Sequence, residues 1–349
     1  MSDQTLPLSD LHLTLGAALD DAGQPQRYRD LDAEVSAVRQ GAGLFDLSAA
    51  QTFHLRSPEA RRWSNGMFTN NIRRLQPGQG NRSAMCDDRG RVQGLLDLYC
   101  LDDETFFGVL EGVDLAWFAG RYEMFLMLDD IELESHPDAP WLLSVQGPKA
   151  EAILAAASLP TPQNTRDHVE QDGLRVMRRD RTGLGGFDLL CADDAVLRHI
   201  WTTLLEAGAQ PAGHQTLDAL RILAGRARWP TDGTEKSMVH ELRLNEEVCA
   251  FDKGCYVGQE VINRIDVKGA IQKRLTGLRL LERPPEGSPV FLGDKKIGTI
   301  TSMVSLHGEI FGLGVLRKTA WEPGTTVAVR PEGSDPISAT VADLPMSAG

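Results

Sequence analysis

The apolar pattern changes near position 274, and that change constrains the fold more than any other feature. From Arg274 onward, short β-rich stretches (Leu275–Leu280, Pro289–Leu292, Lys296–Ser302, Phe311–Leu316, Thr326–Arg330) alternate with Gly and Pro turns. That rhythm predicts a small β-barrel or sandwich. Before it, strand pairs joined by short turns are mixed with helical stretches, which predicts α+β layers rather than a doubly wound sheet. Helices are expected within 28–48, over 57–75 with Ser57 as N-cap and Pro58 at the first helical position, and over Asp114–Leu128, Ala150–Ala157, Asp194–Ala207 and Thr216–Ala224. Strands are expected within 80–101, over 105–111, on either side of His136-Pro137, at Leu174–Arg179 and at Phe187–Cys191. The expected organisation is an αβ domain at 1–140, a second at 141–271 and a β-barrel at 272–349.

At 349 residues, with 42% apolar and 24% charged residues, the chain is globular and long enough to bury a core without disulfides or metals. No window approaches the roughly 20 apolar residues of a membrane helix, and the polar start has no signal-peptide stretch. A soluble, cytoplasmic protein is expected. Cys86, Cys100, Cys191, Cys249 and Cys255 are few, odd in number and scattered, with no Cys-x-x-Cys pair, so neither a disulfide framework nor a metal site is expected. The glycines at 183–186 fit neither a dinucleotide fingerprint nor a P-loop, and read as a turn between strands.

A formal net charge of −13 disfavours direct binding to nucleic acid or anionic membranes. Yet Lys253, Arg264, Lys268, Lys273, Arg274 and Arg279 crowd into 253–279 against Glu260 and Asp266, and Arg221, Arg226 and Arg228 lie within an acid-free 219–231. Such zones are solvated faces paired with distant acids, or they meet an anionic ligand.

The string Lys253-Gly254-Cys255-Tyr256-Val257-Gly258-Gln259-Glu260 is too polar and too rich in glycine for a core segment. Gly254 and Gly258 let the backbone turn sharply, and Lys253 places a positive charge two residues before the thiol. An isolated Gly-Cys-Tyr reads as a turn with a buried cysteine. The full string, continued by Arg264 and Lys268-Gly269, reads as a functional loop.

By this string the chain resembles the YgfZ/GcvT-like folate-binding family, matching the signature K-G-C-Y-x-G-Q-E of its YgfZ branch at every position. Weaker matches lie at Gly43–Ser48, Gln146–Ala150, Arg181-Thr182-Gly183 and Pro211 through Ile222. The resemblance implies a three-part ring around a central cavity holding tetrahydrofolate or a derivative. It implies Cys255 as a functional thiol, with Arg221, Lys253, Tyr256, Gln259 and Glu260 toward the cofactor and Gly254 and Gly258 shaping the loop. Arg221 suits a glutamyl carboxylate, because a planar guanidinium bonds it bidentately; its other reading is an i,i+3 partner of Asp218.

The resemblance further implies support of iron–sulfur cluster assembly or repair in client enzymes, including one that modifies tRNA, with those enzymes or assembly proteins as partners. The alternative is folate-dependent one-carbon transfer of the aminomethyltransferase type. Gly94 and Leu95 stand where that enzyme carries carboxylates, Asp97 is displaced along the same run, and the glutamate after the Thr-Gly turn is missing. Those departures argue against ordinary aminomethyltransferase activity.

Overall fold

The computed structural model describes residues 6–135, 141–269 and 271–347. Residues 136–140, which carry His136-Pro137 and the first expected domain boundary, lie outside the described residues. Two main sheets and a barrel make up the fold, with a two-stranded ribbon of Ala18–Leu19 and Pro25–Arg27 beside them. The first sheet is wholly antiparallel, with strands in the order Gly80–Cys86, Val92–Cys100, Thr105–Glu111, Thr52–Arg56, Glu132–Ser135. The second runs His168–Gln171, Leu174–Arg178, Gly186–Cys191, Trp141–Gln146, Gly43–Asp46, Gln210–Pro211. Gly43–Asp46, placed in the first domain by sequence order, thus pairs with Trp141–Gln146 in the second sheet. The stretch after 272 closes into a barrel of six strands, from Lys273–Leu280 round to Ile337–Ala342.

Each sheet buries one face under its own helices. On the first, Trp63 from Ala60–Met67 and Phe118 and Tyr122 from Leu115–Leu128 pack on Phe53, Phe68 and Phe106. On the second, Leu197, Ile200, Trp201 and Leu204 of Asp194–Glu206 pack on Leu143, Phe187 and Leu189. Asp114 and Asp193 start the two long helices by accepting Trp117 N at 2.7 Å and Val196 N at 2.9 Å. The opposite faces look inward. There Phe45, Tyr99, Phe107, Leu142 and Met177 share one cluster with Ile222 and Leu223 of His214–Leu223 and with Leu275, Val304, Phe311 and Leu313 of the barrel.

One expected helix is much shorter than its pattern. In place of 57–75, the helix is Ala60–Met67. The Asn65 side chain turns the chain back by accepting Ile72 N at 3.1 Å and Arg73 N at 3.2 Å, and Phe68 bridges to Met85 of the first sheet. Ser57 lies before the helix and accepts Glu59 N at 3.1 Å, so it shapes the entry without being the N-cap.

Candidate functional site

The inward faces enclose a cavity of about 590 Å³. Helix His214–Leu223 supplies one wall: His214, Leu217, Asp218 and Arg221 recur at helical spacing and share its inner face. Gly225, at φ +71°, ends the helix and turns the chain across the opening through Arg226, Ala227 and Arg228. Leu242, Arg243, Leu244 and Glu247 form the far wall. The first sheet adds Arg82 and Glu111, and the hairpin of the second sheet adds Arg179 and Arg181.

Most of these guanidiniums are already paired. Arg181 donates to both oxygens of Asp188, at 2.9 Å and 2.7 Å. Asp97 accepts from Arg166 and from Arg179 Nε at 3.0 Å. Arg166 also reaches Glu247, whose burial disfavours its charge; the surrounding Arg82, Arg166 and Arg226 outweigh that and hold its pKa below the ordinary value. Arg226 meets Asp180 at 2.8 Å, and Arg228 meets Asp218 at 3.0 Å.

Arg243 differs. Its Nε donates to Leu275 O at 2.8 Å, and no carboxylate among the described residues pairs with its terminal nitrogens. It holds φ +58°, a left-handed conformation uncommon outside glycine, on the cavity rim. Partial desolvation at its base and the nearby Arg274 charge lower its pKa, although the residue as a whole is exposed. A bound anion would offset the repulsion from Arg274.

Arg221, the arginine singled out in the sequence, lines the cavity but is buried and nearly saturated. Its Nε donates to Asp218 at 2.7 Å, its Nη1 to Asp232 and to Arg226 O, and its Nη2 to Ser302 Oγ at 2.7 Å. It clamps helix, crossing segment and barrel together.

The 253–260 string lies behind the far wall, and none of its residues lines the cavity. Tyr256 packs against Leu95, Leu242 and Leu244 in one apolar cluster, with no hydrogen-bond partner for its hydroxyl among the described residues. Lys253 Nζ lies 4.7 Å from the centre of the Tyr256 ring and donates to Phe68 O and Asn70 O, at 2.7 Å and 2.6 Å. Burial pushes its pKa down to about 7. A neutral amine still supplies both of those hydrogen bonds, so Lys253 ties the loop down. Gly258 starts helix Gln259–Lys268, in whose first turn Gln259 is partly buried and Glu260 exposed. Gly254 has open space where a side chain would begin. Cys255 is exposed, whereas Cys86, Cys100, Cys191 and Cys249 are buried. No histidine among the described residues is hydrogen-bonded to Cys255, and His240 sits instead 3.5 Å from Asp266. No group of metal-ligating side chains is found among the described residues.

The positions without carboxylates are sealed. Leu95 is fully buried, and a side chain at Gly94 would begin 2.6 Å from Met85 Cε. Three features escaped the sequence reading: Glu111 and Glu247 as cavity acids, Arg243 as the least satisfied cation, and Asp232 as the partner of Arg221. Only the folded sheets and the crossing segments bring these residues to one space.

Two family models match the chain: the GCVT N-terminal domain over residues 8–253 and the glycine cleavage T-protein C-terminal barrel domain over 273–347. An aminomethyltransferase of Rubrobacter xylanophilus is 31% identical, covering 97% of this chain and 93% of the relative. One of Bacillus subtilis is 29% identical, covering 93% of each. Among solved structures, the glycine cleavage system aminomethyltransferase T of Bartonella henselae superposes with a TM-score of 0.88 at 24% identity, over 99% of this chain and 98% of that one. At that identity the superposition bears on fold. No helix among the described residues is long and apolar enough to cross a membrane.

Proposed function

Because the chain belongs to the glycine cleavage T-protein family, we propose that its central cavity binds a tetrahydrofolate and serves folate-dependent one-carbon transfer. The observation that carries this reading is the cavity itself. Its volume of about 590 Å³ suits a folate-sized ligand, and it joins Leu217, Leu242 and Leu244 to a basic rim of Arg226, Arg228 and Arg243. When bound, tetrahydrofolate supplies the nitrogens that carry the one-carbon unit. Arg243, whose terminal nitrogens meet no carboxylate among the described residues, offers them to a glutamyl carboxylate, the role the resemblance implied for Arg221. Leu242 and Leu244 keep water from the ring side of the ligand.

Titration of the purified protein with tetrahydrofolate, followed by tryptophan fluorescence and calorimetry, tests this. Saturable binding is expected, with Arg243→Ala weakening it about 10-fold through loss of a charge-assisted pair. Absence of binding at millimolar ligand would remove the folate reading. Tetrahydrofolate-dependent one-carbon transfer from an aminomethyl donor tests the activity separately.

A second reading, support of iron–sulfur enzymes in the manner of the YgfZ branch, is favoured by Cys255. It is exposed on a loop that Lys253 and Gly258 hold fast. One thiol does not hold a cluster alone, so a partner would provide the other ligands. Cys255→Ala is expected to abolish support of client enzymes in a deletion strain while folate affinity stays unchanged. Full complementation by that variant would end this reading.

A further inference from the structure

The cavity has a second lobe of about 320 Å³, which shares Glu111, Arg181 and His214 with the first. Arg181 is closed on Asp188. His214 hydrogen-bonds the backbone at Asp46, burial lowers its pKa, and its Nε2 has no partner among the described residues. Glu111 gives Oε2 to Arg82 at 2.6 Å, its side chain is 26% exposed, and no hydrogen bond to Oε1 occurs among the described residues.

The sheet register explains why Glu111 is there. Leu95 and Glu111 are direct partners on neighbouring antiparallel strands, and Asp97 pairs with both Arg82 and Val109. Direct partners point to the same face, with Cβ atoms about 4.5–5.5 Å apart. Leu95 is buried in the apolar cluster behind the far wall, and its partner Glu111 on the adjacent strand lines both lobes of the cavity.

The other cavity acids are committed. Asp97 is 5% exposed and held by two arginines. Glu247 is held by Arg166, and Asp218 by Arg221 and Arg228. Glu246 stands on the exposed rim near Arg243 in sequence. Among the described residues, Glu111 is the inner cavity acid with spare acceptor capacity.

A reduced folate has one end rich in donors, the N3–H and 2-amino group of its pterin, and one end that is anionic. We propose that Glu111 recognises the pterin, accepting from N3–H and the 2-amino group, with His214 beside it at the junction of the lobes. The glutamyl tail then points to the rim of Arg226, Arg228 and Arg243. This assignment rests on the folate reading above and fixes which way round the ligand lies.

The test compares two ligands, tetrahydrofolate and p-aminobenzoylglutamate, which keeps the tail and lacks the pterin. Glu111→Gln preserves shape but turns an amide donor toward a donor edge. It is expected to weaken tetrahydrofolate about 10- to 100-fold, as for loss of a charge-assisted bidentate pair. It should leave p-aminobenzoylglutamate within about 2-fold, whereas Arg243→Ala weakens both. Wild-type binding of tetrahydrofolate with Glu111→Gln unchanged would overturn the assignment alone. Wild-type binding of neither ligand would overturn the folate reading itself. Should Glu111→Gln fail to fold, the wild-type protein with a 2-desamino tetrahydrofolate decides. Weaker binding than tetrahydrofolate by at least 10-fold supports Glu111, and equal binding overturns it.

Discussion

Asp232→Ala is expected to lower the free energy of unfolding by about 3–5 kcal/mol, the usual penalty for stranding a buried charge. Asp232 is fully buried. It accepts from Arg221 and from Arg228 N at 2.9 Å on one oxygen, and from Thr301 and Ser302 hydroxyls at 2.5 Å and 2.7 Å on the other. Truncation leaves the Arg221 guanidinium, only 7% exposed, without its closest counter-charge. Asp218 still reaches Nε, but its carboxylate is also shared with Arg228. Urea denaturation monitored by far-UV circular dichroism measures the loss. A change below about 1 kcal/mol would mean that Arg221 relaxes into the cavity and that the clamp contributes little.

Gly258→Ala is the second large effect, about 2–4 kcal/mol, combining left-handed backbone strain with overpacking. Gly258 has φ +83°, and a Cβ there would lie 2.7 Å from Asp87 O and 2.8 Å from Gly90 Cα. Both contacts are backbone, and the opposing turn is itself held by Asp87 Oδ1 accepting Arg89 N at 3.0 Å and Arg91 N at 2.8 Å. No flexible side chain can give way. The loop carrying Cys255 must lift from the turn at Asp87–Gly90. Gly254→Ala provides the contrast, because nothing lies near its added Cβ, and should stay within about 0.5 kcal/mol of the parent. Thermal unfolding of the pair reads both. Equal melting temperatures would show that the loop is not anchored through Gly258.

The barrel was legible because its periodicity depends only on neighbours in sequence: short apolar runs between Gly and Pro turns need no distant partner to be recognised. The helices Asp114–Leu128 and Asp194–Ala207 were legible for the same reason, each opening on an aspartate cap. The stretch 57–75 misled because Asn65 reverses the chain through side-chain bonds that periodicity does not encode. Arg221 shows the same limit at the site. Its i,i+3 partner Asp218 is written in the sequence, whereas Asp232 and Ser302 lie on segments that only tertiary packing brings near. The polar 253–260 string looked like a ligand-facing loop. Its lysine and tyrosine instead turn inward to seat the loop, and the cysteine is left at the surface. Glu111 gave no signal at all, since its place beside Leu95 is a matter of strand register.

The inward cluster runs without interruption from both sheets into the barrel, and Met346 N closes it by donating to Leu223 O at 2.6 Å. The linker between Lys268 and Lys273 therefore divides the polypeptide without dividing the cooperative unit. Separating the barrel from the rest would bring the shared apolar faces of Val304, Phe311 and Leu313 into water together with the Ser302 end of the arginine clamp. The cavity and the barrel are therefore expected to melt as one, with any variant that loosens the barrel acting on the cavity from a distance.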